Sequence, residues 1–137
     1  MRDERLTKLA RVLVDYSVAA EEGDQVVLAG GAAAEPLIKA VYARLLDVGA
    51  TPIPQVALQG MQEVFFEHAR DVHYEKTPPV IRAIYEGADA FISVMAPTNT
   101  RALANVDPTK QQALGKRDKD LQEIVLGKDR WALTLFP

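Results

Sequence analysis

The side chains that could do chemistry are few and poorly matched for it. His68 and His73 are the chain's two imidazoles, with Glu63, Glu67, Asp71 and Glu75 close by. A helical metal pair needs a spacing of about three or four residues, which keeps both ligands on one face. A spacing of five turns the second ring about 140° from the first. These side chains therefore read as solvated helix-end residues, and the sequence assigns no metal ligand and no catalytic residue. Glu21-Glu22 sits beside a turn and is too isolated for paired-carboxylate work. The chain has no cysteine and so no thiolate nucleophile, and no local Ser-His-Asp set stands out.

Two loops remain as candidates. Gly30-Gly31-Ala32-Ala33-Ala34-Glu35 follows an apolar run, and its glycines could let an anion approach backbone N–H groups at a helix start. It has neither a G-x-G-x-x-G pattern nor a Walker lysine, and Glu35 puts negative charge where phosphate would bind. Gln59-Gly60 stands where a ribose-binding acid would close the second strand. A tight strand-to-helix turn is the plainer reading, and Gly30, Gly31 and Glu35 are kept as crevice candidates. Thr98, Asn99, Thr100 and Arg101 combine hydroxyl, amide and guanidinium donors after a second apolar run. That set suits a carboxylate or the backbone of a neighbouring domain; the alternative is a loop whose side chains cap their own backbone.

Helices and strands must alternate to position these loops. Apolar spacing predicts a helix over 3–20 that buries Leu6, Leu9, Ala10, Leu13, Tyr16 and Ser17. The run Gln25-Val26-Val27-Leu28-Ala29 reads as a strand covered on both faces. A helix opens near Glu35-Pro36, where proline suits a first turn. It carries Leu37, Ile38, Val41, Tyr42, Leu45 and Leu46 and stops at Gly49. Residues 51–58 are extended but contain Pro52 and Pro54, which cannot donate to a ladder, so this strand belongs at a sheet edge. Helical spacing returns over 61–69 and over 78–86, the latter with Thr77 as its cap. Ala90-Phe91-Ile92-Ser93-Val94-Met95 reads as a central strand. Asp107-Pro108 opens a helix running to about Val125, loosened near Gly115, and 130–136 is the last strand. The expected architecture is one α/β domain over 1–137: a three-layer, open, mainly parallel sheet of about four strands, order 2-1-3-4, flavodoxin/Rossmann-like.

Composition bounds the functions. With 137 residues and 48% hydrophobic content, the chain has the length of one domain and the apolar fraction of a globular one. No apolar stretch reaches the roughly 20 residues of a membrane span, and no secretory leader is evident, so no membrane partner is expected and the setting is read as cytoplasmic. The net charge is −3, a poor start for attracting phosphate backbones. Lys110, Lys116, Arg117 and Lys119 are interleaved with Asp118 and followed by Asp120, a mixed-sign solvated face, so no nucleic-acid partner is expected. Phe65-Phe66 are adjacent on a helix and cannot both face one core, which points to a partner chain or another domain over one of them. The closing Trp131-Ala132-Leu133-Thr134-Leu135-Phe136-Pro137 is apolar, where termini are usually polar, and looks cut at a domain boundary.

An ordered set of segments resembles the N-terminal domain of the thermophilic-type metalloaminopeptidases, the aminopeptidase T, aminopeptidase S and PepS family. It runs from Leu6-Thr7-Lys8-Leu9-Ala10-Arg11-Val12-Leu13-Val14-Asp15-Tyr16-Ser17 through Gly23-Asp24-Gln25-Val26-Val27-Leu28 and Ala34-Glu35-Pro36-Leu37-Ile38 to Gly49-Ala50-Thr51-Pro52. It continues with Ala96-Pro97-Thr98-Asn99-Thr100-Arg101-Ala102-Leu103, Val106-Asp107-Pro108 and the segment from Trp131 to Pro137. The resemblance implies an intact enzyme that removes N-terminal residues from peptides with two divalent metal ions (zinc, cobalt or similar). Those ions would be held by a larger C-terminal catalytic domain absent from this sequence, in a homodimer that takes peptide substrate. It implies that this chain, with no cofactor of its own, is inactive alone, and that Thr98, Asn99, Thr100 and Arg101 contact the missing domain or the substrate cavity. The alternative is a freestanding flavodoxin-like module binding a small anionic ligand or nucleotide.

Overall fold

A computed structural model of the chain describes residues 3–96 and 104–136. Four parallel strands form one sheet in the order β2-β1-β3-β4: β1 Gln25–Gly31, β2 Thr51–Ala57, β3 Ala90–Met95 and β4 Trp131–Leu135. The helices are α1 Glu4–Arg11, α2 Glu35–Asp47, α3 Met61–His68, α4 Pro79–Gly87, α5 Pro108–Arg117 and α6 Lys119–Lys128. The proline-bearing strand lies at an edge, and the two apolar runs lie side by side in the middle, paired Val26 to Ala90 through Gly30 to Val94.

Strand alternation sends β1 and β3 residues to two unequal cores. Val26, Leu28, Ala90, Ile92 and Val94 pack with Ala10, Leu13, Val14 and Val18 and with Leu37, Ile38, Val41 and Leu45 of α2. On the opposite face Val27, Phe91 and Ala88 form a small cluster, covered by Ile84 and Tyr85 of α4 and Ile124 and Val125 of α6. Gly49 ends α2 as expected, with φ +84°, and donates its N–H to the Leu46 carbonyl.

The first helix departs from its expected course. Its α-helical part ends at Arg11 and a π-helical stretch, Val12–Ser17, follows, with Val18 N–H reaching the Leu13 carbonyl and Ala20 N–H the Val14 carbonyl. A π turn takes one more residue than an α turn and rotates everything after it. Tyr16, expected on the buried face, is 82% exposed, while Val14 and Val18 point inward. In α2, Tyr42 and Leu46 are exposed as well, leaving Leu37, Ile38, Val41 and Leu45 to the core. Thr77 does not cap α4: Pro78 holds that position, and the Thr77 hydroxyl donates to the Arg117 carbonyl at 2.7 Å. The helix expected to run from Pro108 to about Val125 is two helices, broken at Asp118 rather than loosened at Gly115.

The register carries the small-cluster face outward to the last strand. Phe91 pairs with Trp131, Ser93 with Leu133 and Met95 with Leu135. Phe91 is buried, but Met95, Trp131, Leu133 and Leu135 are 46%, 44%, 57% and 71% exposed. Ala132 and Phe136 turn the other way and pack against the large core.

Candidate functional site

The chain leaves β1 over one face of the sheet through α2 and leaves β3 over the other through α6. The strand order thus reverses between β1 and β3, and the crevice beyond their carboxyl ends is where open α/β sheets receive ligands. Gly30 and Gly31 end β1 at this point. A Cβ on Gly30 would stand 2.7 Å from the Val94 carbonyl oxygen and 2.9 Å from Ile38 Cδ1. The bare backbone there is taken up by β3 and α2, a packing reason for glycine. Gly31 has nothing within 4 Å of such a Cβ and borders open space. Glu35 is the first residue of α2 and pairs with Lys39 at 3.1 Å, both side chains exposed. An anion approaching this helix start would meet a carboxylate and, at Ala34, no capping side chain. Thr98, Asn99, Thr100 and Arg101 lie outside the described residues.

The imidazoles are placed apart from any donor set. His68 closes α3, and His73 belongs to a short 3-10 turn, Asp71–Tyr74, where its Nδ1 accepts the Arg70 N–H at 2.8 Å. Among the described residues, no group of three His, Asp or Glu side chains is arranged to hold a metal ion.

The adjacent phenylalanines have contacts within the chain. Phe66 is buried, and Phe65 lies edge-on to Phe66 and Tyr74 with centroids 5.6 and 5.5 Å away, while the Arg117 guanidinium sits 5.7 Å above its ring. Arg117 also donates to the His73 carbonyl at 2.9 Å. Beside this cluster is a hollow of about 490 Å³ lined by Tyr74, Thr77, Arg82, Lys116, Arg117 and Asp120. Arg82 is engaged by Glu86 at 2.8 Å and Asp120 at 3.1 Å, and Arg117 by Asp118 at 2.9 Å. The hollow is a charged joint where Thr77 meets the end of α5 and Arg82 of α4 meets Asp120 of α6, and sequence reasoning missed it because the Thr77–Arg117 bond spans 40 residues.

Two arginines tie the amino end of the fold. Arg130, just before β4, donates to the Val18 and Ala19 carbonyls at 3.1 and 3.2 Å and to Asp24 Oδ2 at 2.6 Å. Asp24 also accepts the Glu21 N–H. The Arg130 hydrogen bond, working against burial, holds the Asp24 carboxyl below its usual range, and Asp24 raises the arginine in turn. Arg44 of α2 grips Asp15 with two bonds, at 3.0 and 2.7 Å, and lowers that carboxyl in the same way. Both pairs join segments of the backbone to one another and sit away from the crevice.

Among the described residues, no helix is long and apolar enough to cross a membrane. A family model described as thermophilic metalloprotease (M29) matches residues 2–137. No curated protein matches the chain. Among solved structures, wild-type AmpT from Thermus thermophilus aligns with a TM-score of 0.77 at 16% identity, covering 98% of this chain and 36% of that one. At that identity the likeness is one of fold. The chain thus spans little more than a third of the solved chain it matches.

Proposed function

The chain belongs to the thermophilic metalloprotease (M29) family, and from that premise we propose that it serves as the non-catalytic N-terminal domain of a metal-dependent aminopeptidase. The observation that carries the reading is coverage: nearly the whole chain aligns with 36% of the AmpT structure, and the family match runs through residues 2–137. The family's description implies metal use by an intact enzyme. The residues described here do not suit that metal: His73 Nδ1 is already engaged, and no three donors converge. On this reading two divalent ions, zinc, cobalt or similar, belong to a C-terminal catalytic domain, and the intact enzyme is a cytoplasmic homodimer that trims peptide N-termini. Thr98, Asn99, Thr100 and Arg101 then supply donors to that domain or to the substrate cavity. The chain itself is a scaffold and no catalyst.

Peptidase assays test this directly. The 137-residue chain, incubated with aminoacyl arylamides and zinc or cobalt, is expected to show no turnover. The full-length product of its gene is expected to hydrolyse the same substrates and to lose that activity to a chelator. Turnover by the short chain, or a full-length product with no aminopeptidase activity, overturns the proposal.

A further inference from the structure

The two edges of the sheet are prepared differently. In β2 the Thr51 N–H donates to the Asp24 carbonyl, so the odd-numbered residues pair inward and Pro52, Pro54 and Val56 present their backbone outward. Two of these three are prolines with no N–H to offer, and the Pro54 carbonyl already accepts the Gln55 side-chain amide at 2.9 Å. That edge is closed to a further strand. In β4 the Arg130 carbonyl accepts the Phe91 N–H and the Phe136 N–H donates to the Met95 carbonyl, so the even-numbered residues pair inward. Trp131, Leu133 and Leu135 therefore turn their N–H and C=O groups outward along an edge with no proline, glycine or charge from 131 to 135. The same three side chains, with Met95, form the exposed strip on the small-cluster face.

Handedness says what covers both. Moving from β2 to β3 and from β3 to β4, the chain crosses on the small-cluster face, through α4 and α6. A right-handed crossover from β4 to a further parallel strand on its outer side keeps that direction, so its helix must lie on that same face, over Leu133 and Leu135. One helix–strand unit would cover the apolar strip with its helix and pair the open edge with its strand. We propose that β4 is an internal strand in the complete protein, its edge and its strip covered by a crossover helix with an apolar face and a fifth parallel strand. Both come from the part of an M29 polypeptide that this chain does not span. The proposal rests on the reading of the chain as one domain of a larger enzyme and names the surface through which the rest is joined.

Hydrogen exchange of the β4 amides is the test. In the 137-residue chain the Trp131, Leu133 and Leu135 amides are expected to exchange freely while Ala132 and Thr134 are protected. In the full-length gene product the three outward amides should slow by about 100-fold or more. Unchanged exchange in the longer protein overturns the proposal, as does a gene product no longer than 137 residues. Slowing in the short chain that grows with its concentration makes the occupant a second copy and also overturns it. The Leu133→Lys variant sharpens the result: it should leave the melting temperature of the short chain within about 2 °C and lower that of the full-length protein by more. Peptidase activity is a separate readout. A full-length protein that protects these amides but cleaves no peptide sinks the aminopeptidase reading alone, and an active enzyme with a free β4 edge sinks this one alone.

Discussion

The two faces of the sheet are built from the same strands yet carry unequal cores. On one side, among the described residues, fifteen buried residues form a continuous cluster under α1, the π-helical stretch and α2. On the other, three of the described residues are buried under half-covered side chains of α4 and α6. Apolar area removed from water contributes roughly 25 cal/mol per Å², so the first face holds most of the stability of the isolated chain. The second face is finished near β1 and unfinished near β4. The difference separates what folds this chain from what this chain offers to something else.

Substitutions can break that contrast. Leu28, fully buried in the large core, should cost about 3–4 kcal/mol as Leu28→Ala. Ile84→Ala, beneath the small cluster, should cost about 1–2 kcal/mol because its side chain is only partly removed from water. Urea denaturation of both variants checks the pair, and equal losses would show that the faces share the load. Next in size is the glycine pair at the end of β1. Gly30→Ala drives a methyl against the Val94 carbonyl and Ile38 and should cost about 1–3 kcal/mol. Gly31→Ala meets nothing within 4 Å and should stay within about 0.5 kcal/mol. A reversed order in thermal melts would remove the packing account of Gly30.

A further effect depends on pH. Asp24 is lowered in the folded protein by Arg130, so its contribution is complete above the unfolded carboxylate value of about 3.9 and is lost as pH falls through the lower folded value. Arg130→Met should destabilise the chain by about 1–2 kcal/mol near neutrality. The gap to the parent should narrow as the solution is acidified below about pH 4, leaving the part due to the Val18 and Ala19 carbonyls. Denaturation midpoints measured from pH 7 downward check this, and a gap that stays constant into acid would detach Arg130 from Asp24.

Where local pattern decides structure, the sequence was readable. Pro52 and Pro54 placed β2 at an edge, and the apolar runs ending in Leu28-Ala29 and Val94-Met95 marked the central strands. What escaped was decided by distant contacts or by an irregular turn. Tyr16 was misassigned because the π-helical stretch shifts phase after Arg11, and nothing in residue type announces that shift. Thr77 carries the signature of a cap but bonds to Arg117, 40 residues away. The Phe65 ring is covered by Tyr74 and Arg117 from elements that no spacing rule connects. At the crevice, the close approach of β3 and α2 to Gly30 rests on contacts far apart in sequence and is visible only in the fold. The loop with Thr98 and Arg101 lies outside the described residues and stands on its chemistry alone.

The prolines of β2 also set a rule of symmetry. A sheet with two competent edges can add copies head to tail without limit, which is how open fibres grow. This sheet has one fully competent edge among the described residues, because Pro52 and Pro54 remove two of the three outward N–H groups from the other. Two copies meeting through their strands must therefore join β4 to β4 about a twofold axis, and that pair has no free edge left for a third. Self-association by strand pairing stops at two, whatever the concentration.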